Sequence, residues 1–445
     1  MPRIAVVAIA VAGAAVSLRL NLPGHLSYDS VVQLAEGRTG VYTGEHPLVM
    51  SWLLGLANRA APGAALFAVF DTALIFGALL SLVLIARRVS WLAAAIALVC
   101  IFLPQLVVYP AIVWKDVLFA AAATAGFANL AWAAAMWARV RLRAALLVAA
   151  LALLTLAALS RQNGAVVLPF AAIAVGWIAV RAGKGARLRA FAQGAGFLAA
   201  TAALVAAISA ALALRLEDPG ATQQVWTVLQ TDDIVAAVVR DPGVDLAALK
   251  ARAPTLETLV RTQGVAAYSP IRVDSLEPMF EQMDASAAAP IAAQWRQLIA
   301  RHPLLYLRIR AAAFRWVLLT PDPSACGLVF TGVEGPPEEM AQAGLEPRKS
   351  AMDNALDDYA QAFASTPAFS HAAYGLIGLI LLLALLRRRR PADIAVAAML
   401  GSAFAFTASF AVISIACDYR YLYDLDLSVI AAALYLAGGL HRDAS

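Results

Sequence analysis

Four short polar stretches interrupt an otherwise apolar chain, and each carries groups suited to ionic or proton chemistry. "LSYDSVVQLAEGRTGVYTGEHPLVMSW" at 26–52 offers Asp29 and His46, and "WKD" offers Lys115 and Asp116. "SRQNG" offers Arg161, Gln162 and Asn163, and "CDYRYLYDLD" offers Arg420 and Tyr421. A carboxylate can take a proton from a hydroxyl as general base, while Arg and Lys are the natural partners of phosphate oxygens. Each stretch also has a plain structural reading. Asp29 would cap a helix starting near Ser30, His46-Pro47 would open a helix, and Lys115-Asp116 would be an ion pair or a cap. Arg161 would be a stray charge, and Arg420 with its tyrosines an interfacial belt. The reason to prefer chemistry is positional: the elements between the four stretches must bring all of them to one side of a membrane.

That the chain is membrane-spanning follows from composition. It has 62% hydrophobic and 14% charged residues over 445 positions, with a mean hydropathy of +0.75, far above soluble usage. The basic residues fall in short runs between apolar stretches, which is a topology signal and excludes nucleic acid as a partner. Apolar runs long enough to cross about 30 Å of hydrocarbon lie near 4–20, 64–86, 91–108, 117–138, 144–159, 165–180, 190–214, 368–386, 393–415 and 425–440. About ten spans are expected. The brief apolar stretch 46–60 reads as a helix lying at the interface. With this parity one side carries 15 basic residues, among them Arg87, Arg88, Lys184, the run Arg387 to Arg390, and Arg442; the other carries six, namely Arg19, Arg38, Arg59, Lys115, Arg161 and Arg420. The basic-rich side is expected to be cytoplasmic, with all four polar stretches outside. The N-terminal "MPRIAVVAIAVAGAAVS" also resembles a cleaved signal peptide, and either choice leaves Asp29 outside.

The expected organisation is a membrane domain at 1–214 with its first outer loop at 21–63, an external region at 215–367, and membrane helices at 368–445. The external region holds 19 acids and 13 bases and no spanning run. Helical periodicity marks 226–239, 245–261 and 302–320, and "SACGLVFTGVEGPPEEM" reads as loop. Cys326 and Cys417 both fall on the outer side, where a disulfide is permitted, although two cysteines on one side are more often simply unpaired.

A carboxylate and several cations at the outer boundary of a bilayer suit a lipid-linked phosphate, whose chain lies in hydrocarbon and whose head lies at the interface. If that phosphate is a leaving group bonded to a sugar, fixed cations stabilise the charge it gains, and a carboxylate deprotonates the acceptor hydroxyl. The order of first span, "YDSVVQLAEG…EHP" loop, interfacial helix, "WKD", "SRQNG", large late outer region and "DYRYLY" resembles the GT-C superfamily of polytopic glycosyltransferases, which includes the protein mannosyltransferases and the aminoarabinose transferases of lipid A. The resemblance implies an all-α polytopic fold with a mostly helical periplasmic region, in a bacterial inner membrane with the active site facing the periplasm. It implies a polyprenyl-phosphate-linked sugar as donor and a glycan, lipid or protein as acceptor. Carried over by position, Asp29 becomes the catalytic base or a residue that orients the acceptor, and His46, placed with it in the catalytic pair, orients the acceptor or joins Asp29 at a divalent ion. Lys115, Arg161 and Arg420 bind the donor phosphate, and Asp116, Gln162, Asn163 and Tyr421 bind substrate. No metal is assigned: a divalent cation stays open, but the first loop offers only Asp29, Glu36, Glu45 and His46 to hold one. Two other classes compete. Asp71, inside the second span, suits a transporter or flippase of a lipid-linked solute, and a non-catalytic envelope scaffold would make the outer polar residues dispensable.

Overall fold

A computed structural model of the chain describes residues 1–183, 187–217 and 221–439. Lys184 and Arg442, both counted on the basic side, lie outside these residues, as does residue 440 at the expected end of the last span. Among the described residues the protein is all-α, with isolated β-bridges in place of strands.

Nine helices among the described residues are long and apolar enough to cross a membrane: Pro2–Asn21, Ala65–Leu84, Lys115–Ala135, Val140–Ser160, Gly164–Ala182, Arg187–Ala213, His371–Arg388, Pro391–Ile413 and Tyr419–Gly438. The sequence expectation of one continuous span at 91–108 is corrected. Trp91–Cys100 and Pro104–Ala111 are two pieces bent by 82°, because Pro104 has no N–H to continue the first helix. The contacts of the bent pair run along the length of the neighbouring spans, as those of one bent span would. Ser90 at its start donates to the carbonyl of Ala437 near the end of the last span. Ile101 at the bend lies against Gly13, midway along the first span. Beyond the bend Ser17 donates to the carbonyl of Val107, and His25 pairs with Ile112 just past the first span. With the bent pair taken as one span, the described residues hold ten candidate spans, and the four polar stretches lie at one end of the bundle.

Two of these spans are interior. In Lys115–Ala135 and Tyr419–Gly438 89% of the spanning window is buried, against 22% for Pro2–Asn21 and 17% for Arg187–Ala213. A helix apolar on every side belongs inside a bundle, and the alanines of Lys115–Ala135 let its neighbours approach closely. These two interior helices begin with Lys115 and with Tyr419-Arg420, so the bundle core delivers both to the same end.

Over that end lie the first loop and part of the external region. Helices Tyr28–Thr39 and Leu48–Ala60 pack so closely that a Cβ on Gly37 would collide with the Ser51 carbonyl. With 13 residues, about 20 Å at 1.5 Å per residue, Leu48–Ala60 is too short to cross. Between the two helices buried Glu36 accepts from the Thr43 amide and hydroxyl and from Ser51 at 2.8, 2.7 and 2.5 Å. Residues 327–348 run across the loop as two extended stretches on either side of the short helix Pro337–Gln342: Leu26 bridges Val333, Val333 bridges Arg348, and Gly327 bridges Asp418.

Helices Ala221–Arg240, Ala288–Arg301 and Pro303–Leu319 surround a separate apolar cluster that includes Val235, Leu249, Ile291 and Leu298. Arg310 ties this cluster to the membrane helices. It pairs with Asp233 at 2.9 Å and donates to the carbonyls of Ala411 and Ser414 at the end of the ninth span.

The cysteine pairing left open by the sequence is formed: Cys326 is joined to Cys417, with Cα atoms 5.0 Å apart. The bond fastens the strap at 327–348 to the chain just before Arg420. Replacing both cysteines with serine is expected to cost about 2–4 kcal/mol, the usual loss on removing a native disulfide. A thermal melt of the double variant that overlays wild type would contradict this.

Candidate functional site

Asp29 is the centre of the convergent ionic cluster. It sits in the first turn of Tyr28–Thr39, inside the helix and not at its N-cap, a position held by Ser27 with no side-chain capping bond, so the capping role open to Asp29 in the sequence is not the one it has. Its Oδ2 lies 3.5 Å from Lys115 Nζ and 3.2 Å from Arg420 Nη2. The lysine ammonium also donates to His46 Nδ1 at 3.3 Å, which places the imidazole proton on Nε2. Arg420 is clamped from the other side by Asp418 Oδ2 at 2.9 Å and covers the Trp114 ring at 4.8 Å. Trp114 in turn donates to Ser27 Oγ at 2.8 Å, closing a circuit back to the turn that carries Asp29.

A second layer lies beneath. Arg161 forms an ion pair with Asp116, and side-chain exposures of 8% and 2% set this pair below the rim, where Asp29 and Asp418 are 26% and 33% exposed. Arg420 Nε reaches Asp116 Oδ2 at 3.9 Å and links the layers. Three rings, Phe406, Phe410 and Tyr421, stand 5.4 to 5.8 Å from the Arg161 guanidinium, a spacing that favours a desolvated cation. Asp116 thus faces Arg161, away from solvent. Gln162 is exposed, and Asn163 donates to Ser409 of the ninth span at 2.7 Å; no hydrogen bond or ion pair joins either to Asp29.

Burial works against charge on Asp29, but Lys115 and Arg420 outweigh it and hold its carboxyl well below the usual range. Burial, helped by the Lys115 charge, pushes His46 down to about 3. At neutral pH the rim therefore carries an ionised Asp29 and a neutral His46. No three metal-ligating side chains converge among the described residues.

Residues the sequence reading passed over hold Arg420 in place. His371, Asp426 and Tyr419 form a fully buried network: His371 Nε2 donates to the Tyr419 carbonyl at 3.0 Å, His371 Nδ1 lies 2.9 Å from Asp426 Oδ1, and the Tyr419 hydroxyl donates to Asp426 Oδ2 at 2.6 Å. The network fixes the backbone one residue before Arg420. Asp418 stood inside the quoted "CDYRYLYDLD", and His371 and Asp426 are ionisable residues in spans, so a signal existed for all three. Phe406 and Phe410 are ordinary apolar residues of a span and gave none.

No family model matches the sequence, and no curated protein matches it. Among solved structures the chain is similar to the oligosaccharyltransferase of Archaeoglobus fulgidus in complex with Zn and sulfate, at 16% identity and a TM-score of 0.41, covering 96% of this chain and 48% of that one. It is also similar to the oligosaccharyltransferase AglB of the same organism, in complex with an inhibitory peptide and a dolichol-phosphate. There the identity is 14% and the TM-score 0.38, with 97% and 50% covered. The chain spans about half the length of the solved proteins it matches.

Proposed function

We propose that the protein is a membrane glycosyltransferase of GT-C type that moves a sugar from a polyprenyl-phosphate donor to an acceptor at the outer face of a bacterial inner membrane. The observation that carries this reading is the cluster itself: one carboxylate, Asp29, shared by two cations where interior spans meet the interface. The donor phosphate sits on Lys115 and Arg420, with Arg161 adding positive charge from below. The acceptor oxygen attacks the anomeric carbon, its proton passes to Asp29, and the bond from that carbon to the phosphate oxygen breaks. Polyprenyl phosphate leaves with one more negative charge, which the cations stabilise without a proton. His46, accepting from Lys115, keeps the ammonium pointed at the rim. A single displacement inverts the anomeric configuration, and a product with retained configuration would rule it out.

Sugar release from radiolabelled polyprenyl-phosphate sugars by the purified protein in lipid nanodiscs tests the reading. Release is expected in wild type and its loss in Lys115→Met. A second reading, transport of a lipid-linked solute, is favoured by Asp71 and Asp424, which are fully buried in spans with no hydrogen-bond partner for either carboxyl among the described residues. No release from any donor, together with Asp71-dependent movement of the lipid between leaflets, would establish transport instead.

The site also predicts a pH profile. With Asp29 held low and His46 at about 3, neither changes protonation between pH 5 and pH 8, about the range in which a histidine ordinarily titrates. No acidic limb from these groups is therefore expected in kcat/KM across that interval. Removing a cation raises the pKa of a neighbouring carboxylate. A weakened but measurable variant, Lys115→Gln, should therefore move the acidic limb upward; an unmoved limb would show that Lys115 does not set the ionisation of Asp29.

A further inference from the structure

We propose that Asp29 is a placeholder anion that the lipid phosphate must displace, so that the donor binds before the acceptor and its arrival turns Asp29 from a counter-ion into a free base. The inference rests on reading the cluster as a donor cradle and adds an order of events to it.

Geometry carries the argument. Both rim cations converge on the same atom, Asp29 Oδ2, at 3.5 and 3.2 Å. Among the described residues Lys115 has no second carboxylate within ion-pair distance: its other contact is the neutral ring of His46, which is held by one hydrogen bond. The stronger contacts of Arg420 are with Asp29 and Asp418. Both are partly exposed, whereas its 3.9 Å approach to Asp116 lies beneath. The rim cations are therefore neutralised from the solvent side by groups that an incoming anion can replace, and Asp116 with Arg161 stays behind as a fixed floor.

Such a resting state has a chemical consequence. A carboxylate whose charge is consumed by two cations is a poor proton acceptor, and its basicity recovers when those cations turn to another anion. A phosphate is a better partner than Asp29 for both, since it offers more oxygens to the guanidinium fork and the ammonium together. Donor binding would thus pull Lys115 and Arg420 off Asp29, leaving its oxygens free for an acceptor hydroxyl. An acceptor arriving first would meet a base with little affinity for its proton, which protects the site from idle chemistry.

Competition of this kind is read in binding, without turnover. Full-length protein in nanodiscs of neutral phosphatidylcholine is titrated with labelled polyprenyl phosphate. Asp29→Asn is expected to bind about 10-fold tighter than wild type, because it removes the anion that holds both cations. Asp418→Asn, which frees only Arg420, should gain about 3-fold by the same argument. It also provides an independent measurement should Asp29→Asn fold poorly. Glu45→Gln removes an exposed acid whose charge acts on Asp29 but which makes no ion pair with Lys115 or Arg420. It is expected to stay within about 2-fold, separating specific competition from general repulsion of an anion. Adding Lys115→Met to Asp29→Asn should abolish the gain. Equal affinities for wild type and Asp29→Asn, or an equal gain in Glu45→Gln, would overturn the placeholder and leave the donor cradle standing. Absence of binding in every variant would overturn both.

Discussion

Asp29→Asn is expected to lower sugar transfer by about 10²–10⁴-fold, the range a positioned general base contributes, while the protein still folds and still holds donor. Asn keeps the size of Asp and loses only the ability to accept a proton. Its amide carbonyl can still accept from Arg420, so the loop that carries it should hold its place through the Trp114–Ser27 contact and the packing of Gly37 against Gly55. Asp29→Glu should retain partial activity, because a carboxylate one methylene out of register can still accept a proton. Single-turnover transfer from a labelled donor, read beside donor binding and a thermal melt, separates these effects. If Asn at this position transferred sugar at a tenth of the wild-type rate or better, proton removal by Asp29 would not be part of the mechanism.

The sequence made the membrane architecture legible because crossing a bilayer is a matter of length and polarity. About ten candidate spans were readable from apolar runs, nine of them single helices among the described residues, and parity alone put Asp29, Lys115, Arg161 and Arg420 on one face. It could not reveal the break in the third span. Periodicity treats 91–108 as a single apolar run, and only packing against Gly13 and His25 shows the bent pair lying along the first span. Nor could it divide the cations by depth. Arg161 and Arg420 look equivalent as lone arginines beside spans, yet one is committed to a buried Asp116 and the other to exposed partners. Depth depends on which helices are interior, a property of the whole bundle. Asp418 was visible as a residue type two positions from its partner Arg420, but His371 meets Asp426 from 55 positions away in sequence, and no local pattern records such a pairing.

The division by depth leads to the other large effect. Arg161→Met would leave the Asp116 carboxylate, 2% exposed, with Arg420 Nε at 3.9 Å as its remaining cation among the described residues. An uncompensated buried charge of this kind costs roughly 3–5 kcal/mol, so Arg161→Met should melt well below wild type. Arg420 should also be drawn inward toward Asp116, weakening its contact with a donor at the rim. Removing both charges, as in Arg161→Met with Asp116→Leu, replaces the pair by apolar side chains beside Phe406 and Phe410. Such replacements are often neutral. The double variant should therefore recover most of the lost stability and, if Arg161 acts only from the floor, bring donor affinity back to within about 3-fold of wild type, the loss of a distant screened charge. Recovery of stability without recovery of donor binding would instead make Arg161 a direct ligand of the phosphate, placing the lipid head deeper than the rim formed by Lys115 and Arg420.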